Sequence, residues 1–142
     1  MNTISFDLGI KEYQIGAFTA HFNPTDMNFI ERVFDAFEKL DNLQVKYSTE
    51  LTENKDKMQG NELFDLTKRM NIDMRTVLDN LFGEGFSMDV FNTLHVYAMA
   101  DGLPAWSNLM LAIVDELDES FVSEKKKTNP RIQQYISKYT KK

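Results

Sequence analysis

Two histidines, His21 and His95, and 22 side-chain carboxylates are the groups in this chain from which acid–base or metal chemistry could be built. Such chemistry needs convergence: a base within hydrogen-bond reach of its partner, or His and carboxylate ligands repeating on one helical face. Neither histidine stands in that spacing, and His21 falls in an alternating pattern beside Phe22, where an ordinary surface or half-buried histidine belongs. Asp115-Glu116-Leu117-Asp118-Glu119 holds enough acids for paired-carboxylate work or a divalent cation. They flank an apolar stripe, however, and lysines follow toward the helix C-terminus, where cations are favoured, so the cluster reads as a solvated helix face. Gly83-Glu84-Gly85-Phe86 follows a helical stretch and not a strand, the wrong placement for a phosphate loop. The serines form no triad-like motif, and the absence of cysteine removes thiol nucleophiles, thiolate metal sites and disulfides together. The expectation is a protein with no catalytic residues, no metal and no cofactor.

Charge is distributed unevenly. Residues 1–124 contain all 22 acidic residues and 9 basic ones, a balance of −13, whereas residues 125–142 contain 7 basic residues and no acidic one. In that basic segment Lys125, Lys126, Lys127, Arg131, Lys138, Lys141 and Lys142 can track phosphates, and Tyr135 and Tyr139 can stack on bases. The acidic body repels nucleic acid, which favours the other use of the same residues: contact with an acidic protein surface, its own or a neighbour's. Of these, Lys125, Lys126, Lys127, Arg131, Tyr135, Lys138 and Tyr139 are the candidate partner-binding set. Trp106, Phe34 and Phe37 sit at helical spacing and are expected in the core.

The elements that must position these groups follow from periodicity. At 142 residues the chain is the size of one domain, and 42% apolar with 27% charged residues is globular composition. Residues 1–22 alternate, with Ile4, Phe6 and Leu8 in one run and Tyr13, Ile15, Phe18, Ala20 and Phe22 in the next. That predicts a β-hairpin or small meander, with turns at Gly9 and Gly16 or at Gly16-Ala17. Asn23-Pro24-Thr25-Asp26 is a helix start, with Asn23 or Thr25 as cap, and the stripe Phe29, Ile30, Val33, Phe34, Phe37, Leu40, Leu43 carries a helix to about residue 55. A second helix is predicted over about 61–82, closed by Gly83. A short helical turn follows with Ser87 as cap, and Leu94 to Met99 is either helix or buried connector. Asp101-Gly102-Leu103-Pro104 is read as the start of a helix through about Lys126, and Asn129-Pro130 as the start of a last, basic helix. The division is a single domain, 1–142: a hairpin region (1–22), a helical body (23–127) and a basic C-terminal helix (128–142). The class is α+β, mainly α, with four or five helices. Short strands with uncovered edges suggest self-association, a dimer first. No run approaches the ~20 apolar residues of a membrane span and no signal-peptide pattern opens the chain, so a cytoplasmic protein of a bacterial host cell, without membrane contact, is expected.

Four stretches in order resemble a family of small proteins encoded in the tail-morphogenesis regions of phages and prophages of Gram-positive bacteria. They are Phe22-Asn23-Pro24-Thr25-Asp26 with Phe29 and Arg32; Leu81-Phe82-Gly83; Ala100-Asp101-Gly102-Leu103-Pro104 with Trp106, Asn108 and Asp115-Glu116; and Thr128-Asn129-Pro130-Arg131 with Tyr135 and Tyr139. The similarity spans about residues 11–140. The family's gene position, between tail-tube and tape-measure genes, implies a tail assembly chaperone, for the tape-measure protein, or a minor tail factor, with the tape-measure protein or the tail tube as partner. The alternatives are a structural tail or head–tail component and a nucleic-acid binder acting through the basic segment. The resemblance transfers no binding residues.

Overall fold

The structure, a computed structural model, describes residues 1–127. The chain is α+β and mainly helical: a hairpin of β1 (Lys11–Ile15) and β2 (Phe18–Phe22), then α1 (Met27–Asn54), α2 (Gly60–Phe82) and α3 (Phe86–Phe91), a minimal hairpin of β3 (Met99–Ala100) and β4 (Leu103–Pro104), and α4 (Ala105–Lys126). The basic helix expected over 128–142 lies outside the described residues. No helix among the described residues is long and apolar enough to cross a membrane.

The first hairpin turns at Gly16-Ala17, with Ile15 paired to Phe18 and Lys11 to Phe22. Gly16 takes φ +57, which a side chain disfavours, and a Cβ there would lie 3.1 Å from Val90 Cα, so the position excludes bulk twice over. The Ile4-Phe6-Leu8 run, expected as a strand, joins no sheet among the described residues and is solvent-exposed, Ile4 at 87% and Phe6 at 72%. Gly9 at φ +68 turns the chain just before β1, so the run does not continue into the hairpin. Apolar side chains of β1 and β2 stack on one another and on the helices: Tyr13 on Phe22 at 4.5 Å between centroids, Phe22 on Phe29 at 4.3 Å, and Phe18 edge-on to Phe86 at 5.0 Å.

Asp26 itself caps α1, its carboxylate accepting from Asn28 N at 3.0 Å, so neither Asn23 nor Thr25 has that role. Asn23 holds the approach to the helix, accepting from Thr25 N at 2.8 Å and donating to Leu8 O at 2.8 Å. The buried stripe Phe29, Val33, Ala36, Leu40, Tyr47 faces Leu66, Met70, Met74, Leu78 and Leu81 of α2. Burial of each large apolar side chain stabilises the pair by about 1.5–3 kcal/mol relative to exposure. The Tyr47 hydroxyl donates to Asp73 of α2, one polar clasp in this apolar seam.

Residues 83–104 contain little regular structure, and beside the turn bonds within the segment four residues of α2 supply hydrogen bonds to it. Asp79 accepts from Ser87 N at 2.7 Å and Ser87 Oγ at 3.1 Å; Arg75 Nη2 donates to Asn92 O and Leu94 O, both at 2.6 Å; Asn71 Oδ1 accepts from Val96 N at 3.0 Å; and the Thr67 carbonyl meets His95 Nε2 at 2.8 Å. These four residues recur every fourth position, on one face of the helix. Ser87 is therefore an interior residue of α3, not its cap; Gly85, at φ +88, occupies the cap position. The 94–99 segment is the connector and not a helix, with Val96 fully buried. Asp101-Gly102 is likewise not a helix start. At φ +55 and +80 the two form the β3–β4 turn, the left-handed pair that Asp-Gly favours. Helix α4 begins after it at Ala105, and its first two N–H groups donate to Ala98 O at 2.8 Å and Val96 O at 3.0 Å, so the connector caps the helix.

The Tyr47 clasp sets a pH dependence. The bond to Asp73 and then burial push its phenol from the ordinary 10.0 up to about 12. A raised folded value means that the contribution is complete below pH 10 and is lost as pH rises to about 12, because the unfolded chain ionises first. In urea titrations Tyr47→Phe should be less stable than the parent by about 1–2 kcal/mol at pH 8, and the gap should narrow between pH 10 and 12.

Candidate protein-binding groove

Helix α1 carries more apolar surface than α2 can cover. Beside the stripe that faces α2 runs a second one, Met27, Ile30 and Phe34, rotated toward α4. α4 returns antiparallel to α1. Near its start Trp106 Nε1 donates to Gln44 Oε1 at 2.7 Å and its ring meets Phe37 edge-on at 5.6 Å, while Val114, Leu117 and Phe121 reach the α1 N-terminal half. The two stripes diverge there and leave a groove of about 280 Å³. Its floor is Leu117, 4% exposed; its walls include Met27 at 64% and Phe34 at 53%. Asp118 is the one polar residue lining it among those described. Phe34, expected in the core, is thus a groove wall, whereas Trp106 is buried and Phe37 packs on the core.

The candidate residues of the basic segment divide. Lys125 Nζ lies 5.4 Å from the centroid of Phe121, over an aromatic that lines the groove. Lys127 Nζ pairs with Glu124 at 2.9 Å on the surface, where such pairs contribute little, and Lys126 is exposed. Arg131, Tyr135, Lys138 and Tyr139 lie outside the described residues.

The remaining chemistry-bearing groups have local duties. His21 faces its cross-strand partner Glu12 at 3.4 Å on an exposed sheet surface. His95 accepts from Tyr97 N at 3.0 Å through Nδ1 and donates from Nε2 to the Thr67 carbonyl, so both ring nitrogens hold the connector. Asp115, Asp118 and Glu119 are exposed, and Glu116 accepts from Ser120 Oγ at 3.3 Å. Burial pulls the Arg75 guanidinium below its ordinary value, with Asp79 opposing the shift. A second concavity, about 160 Å³ between α1 and α2, is lined by Arg32, Asp35, Lys39 and Asn80 with three apolar residues; it mixes charges of both signs and lacks the uniform chemistry of the groove. The chain matches no family model, no curated protein and no solved structure.

Sequence reasoning missed the groove because one amphipathic stripe was assigned to one core. The signal was present in width: Met27, Ile30 and Phe34 add to Phe29, Val33 and Leu40, an apolar arc broader than one neighbouring helix covers. Stability should separate wall from floor. In thermal or urea denaturation Phe34→Glu is expected to stay within about 1 kcal/mol of the parent, since the side chain is already half in water, and Leu117→Ala to lose about 2–4 kcal/mol.

Proposed function

We propose that this protein is a non-enzymatic protein-binding factor of phage tail assembly, a chaperone that holds an apolar helical segment of the tape-measure protein. The observation that carries the reading is the α1–α4 groove, apolar on both walls and open among the described residues. An amphipathic helix with anchors at i, i+3 or i+4 and i+7 lays its apolar face into such a groove. Met27 and Phe34 suit a client of varied sequence, because methionine's unbranched chain repacks around different shapes and an aromatic supplies large contact area. The tape-measure protein enters through the family resemblance of four sequence stretches; the groove supports only the helix-binding part of the proposal.

Co-expression tests it. The protein should raise the soluble yield of the tape-measure protein and co-purify with it, Phe34→Glu should lose at least tenfold in affinity, and purified virions should lack the protein. Stoichiometric presence in the virion would favour a structural tail component, and tape-measure binding unchanged by Phe34→Glu would remove the groove from the account.

A further inference from the structure

We propose that residues 3–8 of a second copy of this chain fill the α1–α4 groove, the two copies exchanging these arms reciprocally. The arm is an apolar row that the fold leaves in water. Ile4, Phe6 and Leu8 are 87%, 72% and 60% exposed, and alternation places all three on one side of an extended chain, with Ser5 and Asp7 on the other. Contiguous exposed apolar surface of this kind marks a docking element. Its length suits the groove. Ile4 to Leu8 spans about 13 Å when extended, and Met27 to Phe34 about 10 Å along α1, so one arm lays its three side chains along the opening.

The root of the arm is fixed away from its own groove. Asn23 Nδ2 donates to Leu8 O at 2.8 Å, Gly9 N donates to Asp7 Oδ1 at 2.8 Å, and Leu8 lines a hollow with Phe29 and Arg32. At 100° per residue Arg32 lies about 160° around α1 from Phe34, so the arm leaves on the side opposite the groove. Root and groove nevertheless share the first turns of α1, and six extended residues reach about 20 Å, more than the width of a helix. A neighbouring copy's groove is therefore within reach of each arm.

Area and charge select this occupant and this symmetry. At roughly 200 Å² for each large apolar side chain, the exposed parts of Ile4, Phe6, Leu8, Met27 and Phe34 bury about 600 Å² in one arm–groove contact. One contact has the size of incidental packing, whereas two reach about 1,200 Å², the lower end of stable interfaces, so the exchange closes as a two-fold dimer. The like face of a second copy fits worse. Asp118 lines the groove and the exposed Glu31, Glu38 and Asp41 lie within about 60° of Phe34, so face on face would set acid against acid. The arm brings one charged side chain, Asp7, on its polar side. The inference uses the groove and not the identity of its client; under the function proposed above, a client helix displaces the arm.

Sedimentation of the full-length protein over about 1–100 μM is the test, and it needs no client. The parent should approach twice the 16.5 kDa mass of the chain. Phe6→Asp, on an arm outside the core, should weaken the dimer at least about tenfold, and so should Phe34→Glu, with Met27→Glu in its place should that variant fail to fold. Mixed together, the arm variant and the groove variant should associate more tightly than either does with itself, because one intact arm then meets one intact groove. A parent that stays monomeric at about 100 μM, a dimer insensitive to Phe6→Asp, or a mixture no tighter than its components would overturn the proposal. Dissociation by the groove variant alone would overturn it too and assign the face to its like in a second copy. Phe6→Asp leaves the groove walls intact, so client capture by that variant is read separately from loss of the dimer.

Discussion

The face of α2 that presents Thr67, Asn71, Arg75 and Asp79 is the constraint on which the rest depends. Between α2 and α4 the chain must cross 22 residues, 83–104, with only one six-residue helix and two two-residue strands to satisfy its backbone. Buried N–H and C=O groups without partners cost about 1–3 kcal/mol each, so an irregular path of this length is stable only where something else supplies the bonds. Residues four apart on α2 supply part of them in register, three through side chains and one through its backbone carbonyl: Asp79 to α3, Arg75 to Asn92 and Leu94, Asn71 to Val96, and the Thr67 carbonyl to His95. The connector so held then caps α4 through Val96 O and Ala98 O.

Function follows from where that places α4. Trp106 is clamped on Phe37 and Gln44 near the middle of α1, and the helix runs back toward Met27. At the α1 N-terminus the space on the α2 side is filled by the aromatic group of Phe22, Phe29, Phe82 and Phe86. Among the described residues the opposite side of α1 has only α4, whose Val114 and Phe121 leave the groove against Ile30 and Phe34. The groove is thus a consequence of one helix with two apolar stripes and unequal neighbours.

Much of this was legible in the sequence. The three long helices and the first hairpin follow from spacing at three and four or at two, a signal that each element carries within itself. Gly83 and the Gly16-Ala17 turn were legible because a chain reversal limits which residues fit. What misled was local chemistry with two uses. Asp-Gly-Leu-Pro before an apolar stripe reads as a helix start, yet Asp101-Gly102 is a hairpin turn, and only the two residues on each side of it, paired as β3 and β4, decide between the two. Ser87 has the chemistry of a cap, but Asp79, eight positions earlier, claims it. Ile4, Phe6 and Leu8 alternate as a strand does and yet join no sheet among the described residues. The α2 ladder was invisible because polar residues at spacing four read as a solvated face; that Thr67, Asn71, Arg75 and Asp79 meet a connector is a tertiary fact.

Native-state hydrogen exchange in an Asn71→Leu variant tests the dependence most directly. The change removes the acceptor for Val96 N and for Arg75 Nε while keeping the branched, four-heavy-atom shape of the side chain. If the ladder sets the connector and the connector sets α4, the amides of Val96, Ala105 and Trp106 should exchange about 10–100-fold faster, and those at Leu40 of α1 should change far less. Unchanged protection at Val96 and Trp106, with the variant folded, would contradict the account and leave apolar packing alone to position α4.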